Sequence, residues 1–373
     1  MNKLWAGVLS TVAKRPNSIN VIASILAALS GVLLGFMIMI LVNPSEAAEG
    51  IRTMVFGPLE DMRNIGRVLR VMVPIMLTGL SVAFAFRTGL FNIGASGQMM
   101  IGGVLAIYVG VHWTFLGSFQ WVVATFAAII GGALWGAIPG ILKAYRNVHE
   151  VVASIMLNYV ALYTARLFIE NTMYDEGRQG SMRVTDSGAM PGWFLPDLFD
   201  GAAVSVGLII GLFVVVIIHV ILNHTTFGYE LKSVGFSRPA AKYAGIKERR
   251  SVVLSMVIAG ALAGLAGAVY FLDTGRRFAM GASIYEQGFT GIAIALLALS
   301  APIGVVIVAF FYASIYHGGW LIQIKFREEI IDIIIGFIIY FSALSLFTKQ
   351  FIANYIRRRT KKSLELQDKV GDV

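Results

Sequence analysis

The chain has 373 residues, 57% of them hydrophobic and only 14% charged, with a net charge of +9 and no cysteine. A soluble domain carries about 25% charged residues, whereas here the charges sit in short clusters between long uncharged runs. Disulfides, zinc-thiolate sites and thiol catalysis are excluded. The basic balance fits membrane loops rather than a nucleic-acid-binding face, because runs of about 20 apolar residues match the roughly 30 Å of a bilayer's hydrocarbon.

Lys3, Lys14 and Arg15 precede an apolar run over 19–42. That run is longer than the roughly 7–15 residues of a signal-peptide core, so it reads as a retained first span. Further spans are predicted at 71–87, 91–111, 120–142, 151–169, 202–223, 251–272, 288–301, 303–319 and 330–348. The second and eighth are short. The third is rich in glycine and polar residues and is expected to be broken. The predicted fold class is an all-α polytopic membrane protein of about ten transmembrane helices. It forms a single domain over 1–373: an N-terminus at 1–18, a bundle at 19–348 that includes a cytoplasmic loop at 224–250, and a basic tail at 349–373.

With the N-terminus inside, 19 Lys and Arg residues fall on the inner side and 10 on the outer. That bias predicts an N-in, C-in topology. The tail Arg357-Arg358-Arg359-Thr360-Lys361-Lys362 is suited to anionic lipid. The outer segments 43–70 and 170–201 are charged and long enough for short surface helices. Within the seventh span, Gly260 and Gly264, and Ala263 and Gly267, are four apart, the spacing of close helix packing in lipid. Pro74 and Pro139 lie inside spans, where each removes a helical donor.

Gly89-Leu90-Phe91-Asn92-Ile93-Gly94-Ala95-Ser96-Gly97-Gln98 places Asn92, Ser96 and Gln98 at membrane depth. Amides there must be satisfied. Irregular backbone at that depth is buried in protein or lines a wet cavity. Two readings follow: a polar pathway, or a hydrogen bond between helices. Asn158 and Tyr159 interrupt the fifth span with the same alternatives.

In the loop 224–250, Ser237 suits an N-cap, Pro239 a first turn and Gly245 a helix stop. A helix of about two turns is predicted, with Ala240, Ala241 and Ala244 on one face and Lys242 on another. It would either fit a groove on another protein or lie on the headgroups. The dipeptide Gly-Lys is absent, so no G-x-x-x-x-G-K-[ST] phosphate loop exists. Asp332 is the one acidic residue expected near a membrane interior, which argues against a proton-coupled carrier.

At these segments the chain resembles the permease subunits of ABC importers of the ribose, branched-chain amino acid and nucleoside type. Gly89–Gln98 is similar to that family's Gly-Leu-Phe-Asn-Ile-Gly-Ala-Glu-Gly-Gln, with Ser96 in place of the acidic residue. Gly235–Ile246 resembles Gly-Xaa-Asn-Pro-Xaa-Ala-Ala-Xaa-Tyr-Xaa-Gly-Ile, somewhat shifted at Ser237-Arg238-Pro239. Gly288–Leu297 resembles a third family segment.

The resemblance implies a transport subunit of the bacterial cytoplasmic membrane, not an enzyme, with no catalytic or metal-binding residues. It implies no cofactor on this chain, ATP-Mg being bound by a partner ATPase. Further implied partners are a second permease, a substrate-binding lipoprotein outside, and lipid, but no nucleic acid. The long first outer loop and the Phe-Asn-Ile-Gly stretch look most like the nucleoside branch, with ribose-type sugars or branched-chain amino acids as alternatives. Asn92, Ser96, Gln98, Asn158 and Tyr159 would then line the pathway. Gly235, Arg238, Pro239, Ala240, Ala241, Tyr243 and Gly245 would form the coupling helix that docks on the ATPase.

Two other classes compete. Gly94-Ala95-Ser96-Gly97 fits the Gly-Xaa-Ser-Gly of intramembrane serine proteases, which need a histidine to activate the serine; of His112, His149, His219, His224 and His317, only His219 is expected within a span. An ATP-independent channel or carrier is the other.

Overall fold

The structure, a computed structural model, describes residues 16–341 apart from residues 275, 282 and 338. In chain order the helices are α1 (Pro16–Val42), α2 (Pro44–Phe56), α3 (Met62–Arg87), α4 (Ala95–His112), α5 (Gln120–Arg146) and α6 (Glu150–Thr172). A small hairpin pairs β1 (Tyr174–Asp175) antiparallel with β2 (Gly180–Ser181). Then come α7 (Leu195–Leu198), α8 (Gly207–His224), α9 (Thr226–Phe236), α10 (Arg238–Tyr243), α11 (Glu248–Phe271), α12 (Gln287–Leu297) and α13 (Pro302–Leu321). A further helix, α14, covers 328–337. Seven of the described helices are long and apolar enough to cross a membrane: α3, α4, α5, α6, α8, α11 and α13.

The described residues up to Ile51 and from Ile322 form one compact unit, and Arg52–Leu321 a second. In the first, Gly35 of α1 lies against Ile334 of α14. Lys325 bonds Glu46 at 2.9 Å and Glu49 at 2.5 Å. Those two carboxylates, Glu49 foremost, hold the Lys325 ammonium above its usual pKa. Leu33 and Leu41 of α1 are exposed, as on a lipid-facing helix.

The second unit is built around α3 and α11. α11 packs most extensively on α5, then on α4 and α3, while α12 and α13 pack on α3. The glycine spacing explains the closest of these contacts. A Cβ on Gly260 would lie 2.2 Å from the Gly132 carbonyl oxygen, and one on Gly264 2.2 Å from that of Ala128. Gly267 meets α4 instead, at the Met99 carbonyl. No side chain fits at these crossings, so van der Waals contact between backbones holds the three helices together.

Several expected boundaries shift. The second span begins at Met62 rather than residue 71, because Asp61 caps it, accepting from the Asn64 amide at 2.6 Å. Its first turns are polar, so hydropathy does not mark them. Residues 44–56 form the expected surface helix, α2. The segment 170–201 instead forms the β1–β2 hairpin and the single turn α7. Pro74 and Pro139 sit inside continuous helices. The eighth predicted span is α12, whose 11 residues extend about 16 Å, half of what a crossing needs. The basic tail and residues 1–15 of the N-terminal segment lie outside the described residues.

Candidate functional site

After α3 ends at Arg87, the chain does not turn directly into α4. Residues 88–94 are non-helical, with Gly89 at φ 71°. A Cβ at Gly89 would meet the Gly235 carbonyl oxygen at 3.2 Å, so both backbone conformation and close approach demand glycine there. The third predicted span is therefore broken only at its start, and α4 is continuous from Ala95.

The amides of this turn are fully paired. Asn92 Nδ2 donates to Gln98 Oε1 at 2.9 Å and to Ser81 Oγ at 3.1 Å, and Gln98 Nε2 returns a bond to Asn92 Oδ1 at 3.1 Å. Asn158 Oδ1 accepts from the Gly97 amide at 2.9 Å, and its Nδ2 donates to the Ile93 carbonyl at 3.1 Å. All three side chains are buried. Buried amides cost least when each donor and acceptor is matched, and here α3, α4 and α6 are tied through them. Ser96 is also buried, yet its Oγ has no hydrogen-bond partner.

The structure thus brings Asn92, Ser96, Gln98 and Asn158 together and leaves Tyr159 apart. Tyr159 is 51% exposed, because adjacent residues on a helix point about 100° apart. The serine-protease arrangement is absent: the Ser96 hydroxyl has no base bonded to it, and His219 Nδ1 pairs with Asn223 instead.

A second irregular segment lies on the opposite side of the bundle. The described residues of 272–286 hold no helix. Phe278 is fully buried and stacks on Phe271; its carbonyl accepts from the Ser181 amide of the hairpin and its amide donates to the Ser181 hydroxyl. Arg277 pairs with Asp175 of the same hairpin. The chain then enters α12 beside the middle of α3, where Thr78 Oγ1 donates to the Gln287 carbonyl at 2.7 Å.

Between α3, α12 and α13 lies a cavity of about 320 Å³. Its walls include Pro74 and Ile75, Gln287 and Thr290, and Tyr312 and Tyr316. Tyr270, Arg276 and Glu286 also line it, the Arg276 guanidinium 4.0 Å over the Tyr270 ring. Arg276 also pairs with Asp273 at 3.2 Å, and Asp273 with Arg70 at 2.6 Å. None of these residues stands out in the sequence. Tyr and Thr are ordinary in spans, and only the run of polar and charged residues between Asp273 and Gln287, just ahead of a short apolar stretch, signals the place.

On the predicted cytoplasmic side, α9 and α10 form a bent pair. The Thr225 and Ser237 hydroxyls cap them, accepting from the Gly228 amide at 3.1 Å and the Ala240 amide at 3.4 Å. Gly245 ends the pair at φ 83°. Phe236 and Tyr243 are 95% and 99% exposed, and Arg238, Pro239 and Ala240 lie on the accessible side. Ala241 does not: it is buried among Ala85, Leu90, Val234, Val252 and Met256. Gly235 sits on the Arg87 carbonyl oxygen, 2.4 Å from where its Cβ would be. Burial, then the neighbouring Arg87 charge, lowers the pKa of the Lys232 ammonium.

A bundle of apolar helices joined to an exposed, capped helix pair defines a multi-pass membrane protein. Residues 64–343 match the family model described as the permease component of branched-chain amino acid transport systems, and the chain belongs to that family. It is 36% identical over 91% of its length to the guanosine ABC transporter permease protein NupP of Bacillus subtilis, covering 97% of that protein. It is 32% identical over 94% of its length to the nucleoside ABC transporter permease protein NupB of Lactococcus lactis, covering 98% of it. A second Bacillus subtilis guanosine permease, NupQ, is 27% identical over 64% of this chain, which covers 76% of it.

Proposed function

We propose that this chain is a membrane-spanning subunit of an ATP-driven importer of nucleosides, working with a separate ATPase, a second and different permease, and a substrate-binding lipoprotein. The observation that carries this reading is the full-length similarity to guanosine and nucleoside permeases. The similarity to two different permeases of one organism supports a heterodimer.

The remaining assignments follow from that one. The chain lies in the bacterial cytoplasmic membrane, crosses it about ten times counting the half-length α12, and has both ends inside. It carries no ATP-Mg site of its own. The pair α9–α10 is the coupling element, and Tyr243, Phe236, Arg238, Pro239 and Ala240 present its docking surface. Ala241 shapes it from within, Gly235 lies against the Arg87 backbone, and Gly245 ends it. Asn92, Ser96, Gln98 and Asn158 lie on the route as its closed section, since their amides satisfy one another rather than a ligand. Tyr159, exposed on the far face of α6, belongs to the surroundings of the bundle.

Reconstituting the four components in proteoliposomes tests the proposal. ATP-dependent uptake of labelled guanosine or uridine, with ribose and leucine left outside, is expected. Uptake of ribose or leucine in preference to either nucleoside would refute the substrate class.

A further inference from the structure

We infer that the cavity between α3, α12 and α13 is where the substrate is held inside the bundle, and that it takes an uncharged, flat heterocycle with a hydrogen-bonding edge. This rests on the importer reading above and adds the substrate's place of binding.

Four observations converge. The first is size. A volume of about 320 Å³ lies at the low end of small-molecule pockets, which run from about 300 to 1,000 Å³. It suits one nucleoside and leaves little room for a phosphate chain.

The second is depth. Pro74 and Ile75 stand about one turn inside the apolar part of α3, whose first turns are polar, and Tyr312 lies near the middle of α13, so the cavity lies within the outer half of the predicted spans. Polar groups are tolerated there only when they face protein or a wet cavity.

The third is an unmet bond. Gln287 lines the cavity, and its enclosed Oε1 atom has no hydrogen-bond partner, a costly arrangement that a turn of the side-chain amide toward a ligand donor would relieve. Thr290, 5% exposed, adds a hydroxyl one turn along the same helix. An amide with a nearby hydroxyl reads an edge that alternates donors and acceptors, as nucleobases do.

The fourth is charge and shape. The lining holds one cation, Arg276, and one carboxylate, Glu286, so it presents no net charge, and Arg276 is already paired with Asp273 and stacked over Tyr270. A ligand carboxylate or phosphate therefore meets no uncommitted positive partner in the lining. Tyr312 and Tyr316, one turn apart on α13, give the opposite wall two aromatic rings.

Because the chain has no cysteine, single thiols report on the cavity directly. In the assembled transporter, Gln287→Cys and Thr290→Cys are expected to react with a membrane-impermeant thiosulfonate added from outside. Guanosine is expected to slow that reaction, and ribose or leucine to leave it unchanged. Gln287→Leu is expected to raise the KM for guanosine about tenfold while leaving the maximal rate near that of the parent.

If guanosine is carried but neither protects the thiols nor shows a changed KM in Gln287→Leu, the cavity assignment is wrong and the importer reading stands. If the parent transporter carries neither guanosine nor uridine, the importer reading itself has failed. Should Gln287→Leu not assemble, protection of Thr290→Cys decides the matter alone.

Discussion

Gly288 and Ser96 meet at their backbones: a Cβ built on Gly288 would lie 2.2 Å from the Ser96 Oγ and 2.3 Å from the Ser96 nitrogen. The contact joins the first turn of α12 to the first turn of α4. Each of these helices starts after an irregular stretch of chain, one approaching from each side of the bundle. Gly288→Val is expected to destabilise the protein by about 1–3 kcal/mol through overpacking. Ser96→Ala removes a hydroxyl that has no partner and is expected to be neutral or slightly stabilising. Thermal unfolding of the detergent-purified protein distinguishes the two, and a larger loss for Ser96→Ala than for Gly288→Val would contradict the geometry.

Asn158 and Tyr159 are neighbours in sequence and opposites in environment. Asn158→Leu strands the Gly97 amide and the Ile93 carbonyl, at a cost of about 1–3 kcal/mol. Tyr159→Ala alters an exposed face and should stay within about 0.5 kcal/mol of the parent. Chemical unfolding of both variants gives the comparison.

The alanines of the α9–α10 pair are also unequal. Ala241→Phe inserts bulk into a filled core and should lower the yield of folded protein. Ala240→Phe and Tyr243→Ala change exposed positions and should leave stability within about 0.5 kcal/mol. On the coupling reading, both nevertheless reduce co-purification of the ATPase and ATP-dependent uptake. Wild-type capture of the ATPase by both variants would remove the docking role from this surface.

Phe278 anchors the loop that leads to α12. It is fully buried and packs on Phe271 at 5.6 Å and Tyr285 at 5.3 Å between ring centres. Phe278→Ala is expected to cost about 3–5 kcal/mol. Arg277→Ala breaks a half-exposed ion pair and should cost about 1 kcal/mol or less. A calorimetric midpoint that falls equally in both would show that the ring is not the anchor.

Much of this was legible from residues alone. Hydropathy located the apolar helices, because a span must be apolar over most of its length. Ser237, Pro239 and Gly245 marked α10 by local chemistry that holds in any context. The small residues at 260, 264 and 267 foretold close packing, though not that Gly267 serves a different neighbour from the other two. What stayed hidden depends on contacts distant in sequence. The pairing of Asn92 with Gln98, and of Asn158 with the Gly97 backbone, decides whether these amides face one another or a ligand, and no periodicity encodes it. The polar start of α3 and the half length of α12 escaped for another reason: hydropathy records where lipid is tolerated, not where a helix begins.

The shortness of α12 gives the bundle a lever. One end of this rod lies at the cavity, at Gln287. Past the other, Leu299 and Ser300 both adopt left-handed conformations, at φ 54° each, that non-glycine residues rarely take. The Ser300 carbonyl accepts from Arg87 Nε at 3.0 Å, and the Arg87 carbonyl bears on Gly235 beside the exposed helix pair. A helix this short has no length over which to bend. Any displacement at the Arg87–Ser300 joint is therefore carried to the floor of the cavity as a rigid shift.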